Sequence, residues 1–75
     1  MTLEIVLNGA TRKVAQNTTV TLLLQELGIN PERMAVEINL YIIDRVDFKT
    51  TFLKEGDKVE IIAFVGGGLS FDGCQ

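Results

Sequence analysis

A single amphipathic helix set among strand-like segments decides what this chain is able to become. Val20, Leu23, Leu24 and Leu27 fall at i, i+3, i+4 and i+7, the spacing that puts them on one helical face. Thr19 stands where a hydroxyl can accept from an orphan N–H of the first turn, and Gly28 where a left-handed residue can end the last. Asn30-Pro31 then blocks a simple continuation. A lone apolar stripe must be buried against something, and the alternating segments around it can supply only a sheet.

Before the helix, Leu3, Ile5 and Leu7 alternate with Glu4 and Val6, which predicts a strand over residues 2–7. Asn8-Gly9 tolerates the positive φ of a tight hairpin, so residues 10–15 are predicted to return antiparallel with Arg12 and Gln16 facing water. Gln16-Asn17-Thr18 reads as the turn into the helix. Beyond it, residues 34–38 form an apolar run broken by Glu37 and predict a third strand; Asn39-Leu40 is a turn despite the leucine, and residues 41–43 a short fourth strand. Residues 44–53 have no sustained period, and Phe48, Phe52 and Leu53 are the expected anchors of that connection. After the turn Glu55-Gly56-Asp57, residues 58–65 predict a last strand with Val59, Ile61 and Ala63 on one face and Glu60, Ile62 and Phe64 on the other.

A sheet covered by one helix needs one apolar face, so Val6, Ile62 and Phe64 make a candidate partner-contact patch on the opposite face. The competing reading is a central last strand whose second face is covered by the long connection. The element order, a hairpin, a crossover helix and further strands, fits an α+β roll of the β-grasp kind: a mixed sheet of four to five strands with one helix packed across it.

With 75 residues the chain has room for one small core. A net charge of -3 and the lack of any Lys/Arg cluster argue against nucleic acid as a partner. No apolar run is long enough to span a bilayer, and Glu4 interrupts any secretion signal at the amino terminus, so no membrane association and a cytoplasmic location are expected. The chain has no histidine and one cysteine, Cys74, so no internal disulfide, no metal site and no Ser-His or Cys-His pair is expected, nor any enzyme activity of its own. Nothing near Cys74 lowers its pKa, and it reads as incidental.

The remaining feature is Val65-Gly66-Gly67-Gly68, three glycines directly after the last strand-like segment. Glycine lets another molecule approach the main chain closely, so such a segment can enter a slot too narrow for side chains. A flexible linker or frayed end is the other reading. The expected organisation is a folded domain over 1–65, a glycine tail over 66–68 and an extension over 69–75.

In this order and spacing, several segments resemble the ThiS family of sulfur-carrier proteins of thiamine biosynthesis, relatives of ubiquitin and of the small subunit of molybdopterin synthase. They are Thr19-Val20 with Leu23-Leu24 and Leu27, Val36-Glu37-Ile38-Asn39, and Ile42-Ile43-Asp44-Arg45, followed by Leu53-Lys54-Glu55-Gly56-Asp57-Lys58-Val59 and Phe64-Val65-Gly66-Gly67-Gly68. The terminal segment is more similar to the thiamine branch, since the molybdopterin branch usually carries proline shortly before its glycines. Asp44 stands where the family frequently has proline.

The resemblance implies that the reactive group is a chain end. Gly68 would be the site of adenylation and thiocarboxylate formation, with Val65, Gly66, Gly67 and Gly68 threading into a ThiF/MoeB-like adenylyltransferase that supplies ATP and magnesium. No cofactor would be bound by the chain itself. Sulfur would come from a cysteine desulfurase or rhodanese-type enzyme and pass to thiazole synthase or another acceptor. The family terminus would fall at Gly68, yet the sequence continues through Leu69-Ser70-Phe71-Asp72-Gly73-Cys74-Gln75. An amide at Gly68 cannot be adenylated, so a precursor cut between Gly68 and Leu69, by a JAMM-type or other peptidase, is expected. A ubiquitin-like modifier joined through Gly68, and a β-grasp interaction module without tail chemistry, remain the alternatives.

Overall fold

The computed structural model describes residues 1–63, and the fold is built from five strands and one α-helix. β1 (Thr2–Leu7) and β2 (Ala10–Ala15) form the expected hairpin, Leu7 opposing Ala10 and Thr2 opposing Ala15 across a two-residue turn. Asn8 and Gly9 both have positive φ, 49° and 86°, which matches the right-handed twist of the flanking strands. The helix α1 (Val20–Leu27) follows, then β3 (Met34–Ile38), β4 (Tyr41–Ile43) and β5 (Lys58–Ala63). Phe64 and Val65, expected in the last strand, lie outside the described residues.

The helix begins and ends as its sequence dictates. The Thr19 hydroxyl accepts from the Leu22 N–H at 3.2 Å, and Gly28 at φ 70° donates to the carbonyls of Gln25 and Leu24. Val20, Leu23 and Leu24 are buried, and they meet Ile5, Val14, Val36, Ile38 and Val59 of the sheet in one core with Phe48 and Leu53. The strand order is β2-β1-β5-β3-β4. β1 and β5 run parallel and all other pairs antiparallel, so the crossover through α1 permits the mixed sheet that the element order implied.

Two sequence expectations are corrected. Arg12 does not lie on the open face: the hairpin register sets it opposite Ile5, on the face that carries the helix, where its side chain stays 40% exposed, a guanidinium nitrogen lies 3.7 Å from Glu26 and its buried Nε has no hydrogen-bond partner. Phe52 is 52% exposed and is no core anchor. Thr19 and Phe52 form an isolated antiparallel bridge, and neighbouring side chains of an extended segment point to opposite sides, so Leu53 turns inward while Phe52 turns out. The connection also holds a 3₁₀ turn, Arg45–Asp47, which it enters from Asp44 at φ -66° and ψ 145°. That is the backbone a proline would set, so the aspartate preserves the local path.

Candidate functional site

β5 is the last of the described strands and central in the sheet, and its carboxyl end, Ala63, is the last described residue before the glycine segment. Its amino end is tied down first. Asp57 is buried, and its carboxylate accepts from the Lys54 N–H at 2.9 Å and from Asn39 Nδ2 at 3.0 Å. Asn39 in turn accepts from the Lys58 N–H at 3.0 Å through Oδ1. Two turns, Lys54–Asp57 and Asn39–Leu40, are thereby locked to the start of β5. Asparagine and aspartate do this because their short side chains reach neighbouring backbone groups.

At the other end, Ala63 opposes Met34, the first residue of β3, directly after the 3₁₀ turn Pro31–Arg33. On the β1 side the ladder stops earlier, with Leu7 opposing Val59. β5 therefore runs on past the end of its parallel neighbour, and its last residues emerge between the Asn8-Gly9 turn and the start of β3. Asn8 bridges the gap: its Oδ1 accepts from the Ile61 N–H at 2.8 Å.

Opposed residues share a face, so the side away from the helix carries Val6 and Lys58, Glu60 and Glu37, Ile62 and Ala35, and Ile42. Val6 and Ile62 thus share the open face but do not touch. Val6 opposes Lys58, four residues before Ile62, which is about 13 Å along the strand with Glu60 between them. Ile62 is 49% exposed and Val6 half-buried. The connection over 44–53 packs on the helix side, where the Thr21 N–H donates to the Phe48 carbonyl, and leaves this face of β5 uncovered. Phe64, Val65, Gly66, Gly67, Gly68, Leu69 and Cys74 lie outside the described residues.

Among the described residues no three His, Cys, Asp or Glu side chains gather as metal ligands would, and no helix is long and apolar enough to cross a membrane. A groove of about 420 Å³ runs between Thr21, Pro31, Glu32, Arg45, Val46, Phe48 and Lys49, with Arg45 donating to the Glu32 carbonyl at 3.0 Å. It holds no nucleophile–base pair. What the described residues offer is a central strand paired with β3 to its last described residue and bonded by Asn8 at Ile61 on the other side. Sequence reasoning missed Asn8, Asn39 and Asp57 as tethers of that strand. Their signal was present, since each sits in a turn as an Asx residue, but a turn assignment does not say which remote backbone its side chain will reach.

The ThiS family model matches residues 5–68. A crystal structure of the thiamine biosynthesis protein ThiS from Geobacter metallireducens superimposes with a TM-score of 0.77 at 36% identity, covering 88% of this chain and all of that one. A thiazole synthase of Paramagnetospirillum magneticum is 41% identical over 66 residues, which are 88% of this chain and 20% of that protein. One of Magnetococcus marinus is 38% identical with the same coverage. The chain therefore spans about a fifth of the length of the thiazole synthases it matches. An uncharacterized protein of Porphyra purpurea, ycf40, is 38% identical over 88% of this chain and 93% of its own length.

Proposed function

This chain belongs to the ThiS family, and from that premise we propose that it is a sulfur carrier whose working group is the carboxylate of Gly68, exposed when residues 69–75 are removed. The observation that carries this reading is where the family match ends. It stops at Gly68, the last of three glycines, and Leu69–Gln75 fall beyond it. A peptide amide at Gly68 has no anionic oxygen to attack a phosphate, so trimming must come first.

In the proposed sequence the freed Gly68 carboxylate attacks the α-phosphate of ATP within a ThiF/MoeB-like adenylyltransferase. Pyrophosphate leaves, and magnesium in the partner neutralises its charge. The resulting mixed anhydride has a good leaving group, so a persulfide sulfur from a desulfurase or rhodanese-type enzyme adds to the acyl carbon and expels AMP. A second thiol then supplies two electrons to split the acyl disulfide, leaving a thiocarboxylate on Gly68 and a disulfide on the donor. That thiocarboxylate delivers sulfur to an acceptor. Two relatives called thiazole synthase contain the matching unit within a longer chain, which favours a thiazole-forming enzyme as the acceptor.

The protein's own share of this chemistry is presentation. β5 is paired with β3 up to Ala63 and is held on its other side by β1 and then by Asn8, and the glycines' lack of side chains suits passage into a narrow site. The test compares the full-length chain with one ending at Gly68, each incubated with ATP and the cognate adenylyltransferase. Acyl-adenylate should form on the shortened chain alone, and intact mass of protein from its native cells should show an end at Gly68 with one oxygen replaced by sulfur. Equal modification of both chains without cleavage rejects the precursor reading.

A further inference from the structure

Asn8 does something in this fold that a hairpin turn does not require. In a parallel ladder, the Asn8 N–H donating to the Val59 carbonyl would be followed by the Asn8 carbonyl accepting from the Ile61 N–H. The first of these bonds is present at 2.9 Å. The second is not made by the backbone, because Asn8 sits at φ 49° and its main chain has already turned into the hairpin. Its side-chain Oδ1 takes the place of that carbonyl at 2.8 Å. Nδ2 extends the mimicry with a longer contact of 3.5 Å to the Ile61 carbonyl. The carboxamide therefore acts as one more peptide of β1, supplied sideways after the strand has ended.

Its target is the part of β5 that has lost its neighbour. Lys58 and Val59 are flanked by Val6 and Leu7, whereas Glu60–Ala63 have β3 on one side and no strand on the other. Without Asn8, the β1-facing amide of Ile61 would be open to water two residues before the last described position, and the outgoing end of the strand would be held from one side only. The turn itself needs none of this: Gly-Gly or Asp-Gly would serve it.

We infer that Asn8 is a positioning residue for the chemistry at the chain's carboxyl end. Its carboxamide holds Ile61 in register and so sets the direction in which β5 delivers the tail to the activating enzyme. This rests on the carrier function proposed above. Asn8 touches no reacting atom; it acts through Ile61.

Two variants separate this role from folding. Asn8→Gly keeps the positive φ and deletes the acceptor, whereas Asn8→Asp keeps both the φ tolerance and an oxygen for the Ile61 N–H. In the full-length chain, hydrogen exchange of the Ile61 amide should speed up about tenfold in Asn8→Gly, the effect of losing one hydrogen bond, and stay within about twofold of wild type in Asn8→Asp. The Leu23 and Val6 amides, bonded to the Thr19 and Asp57 carbonyls, are the internal references and should not change. Chains ending at Gly68 retain every described element and all the residues that the ThiS family model matches. With these chains, the KM of the cognate adenylyltransferase for the carrier should rise about fivefold to tenfold for Asn8→Gly at unchanged kcat, with Asn8→Asp restoring it.

An Ile61 amide that exchanges equally in all three proteins overturns the tether. Equal KM values for wild type and Asn8→Gly, with wild type fully active, overturn the positioning role alone. A wild-type chain ending at Gly68 that is never adenylated overturns the carrier function and the positioning role with it, whatever the exchange data show.

Discussion

Replacing Asp57 with alanine should cost this protein a large part of its stability. The carboxylate ties the Lys54 N–H and Asn39 Nδ2, at 2.9 and 3.0 Å, in a place only 8% exposed. A hydrogen bond to a charged group contributes about 1.5–3 kcal/mol, and both donors belong to residues near the surface that water can partly resolvate, so a total loss of about 2–3 kcal/mol is expected. Stabilities of roughly 0.05–0.15 kcal/mol per residue put a chain of 75 residues at about 4–11 kcal/mol. At about 4–8 °C per kcal/mol for a domain of this size, Tm should fall by roughly 10–20 °C. Urea unfolding followed by circular dichroism gives the free energy directly, with an unchanged m-value showing that the denatured state is the same. Asn39→Gly completes a double-mutant cycle without straining a backbone that sits at φ 53°. The two changes should be coupled by about 0.5–1.5 kcal/mol, because they share one bond. A loss below about 0.5 kcal/mol for Asp57→Ala, or strict additivity in the cycle, would refute the idea that this carboxylate locks the two turns to β5.

Gly28→Ala should destabilise by about 1 kcal/mol in urea titrations through its left-handed φ of 70° alone, since an added Cβ meets nothing within 4 Å. Leu40→Asn should stabilise by about 0.5–1 kcal/mol: Leu40 is 84% exposed at φ 75°, so it gives up little burial and sheds the strain of a bulky left-handed residue. Asp44→Pro should raise stability by about 0.4–1 kcal/mol, because the residue already holds proline's φ and follows an extended one. Leu23→Ala, at a site with no exposure, should cost about 2–5 kcal/mol and leave much of the protein unfolded in calorimetry.

Where one local rule dominated, the sequence was sufficient. Asn8-Gly9 sets the hairpin register, and Thr19 and Gly28 bound the helix because each satisfies an orphan backbone group at its end. The alternation along β5 separates Val59 and Ile61, which join the core, from Glu60 and Ile62, which do not, while Ala63, at the end of the first set, is exposed. Arg12 was misread because the pattern of β2 alone is ambiguous: its partner Ile5, one strand away, decides which way it points. Phe52 was misread because a large aromatic in an unpatterned stretch looks like an anchor, and only the bridge to Thr19 shows which of two adjacent residues turns inward. Neither short 3₁₀ turn was foreseen, since three residues carry no period. As for the site, the sequence exposed the glycines but not the tethers, for the Asn8–Ile61 bond spans 53 positions and depends on where β1 happens to stop. The same register separates Val6 from Ile62, which a list of apolar residues on one face does not reveal.

The central place of β5 makes the seating of its carboxyl end conditional on the domain being whole. Both neighbours of this strand are laid down earlier, β1 at the very start, so the sheet closes only when the last segment slots between them. Such long-range closure is slow compared with local turns and helices. An incomplete or misfolded copy has no seated β5, hence no defined point from which anything downstream could be offered. Under the carrier function proposed above, an enzyme that engages the residues after β5 would meet them only on a domain whose sheet has closed.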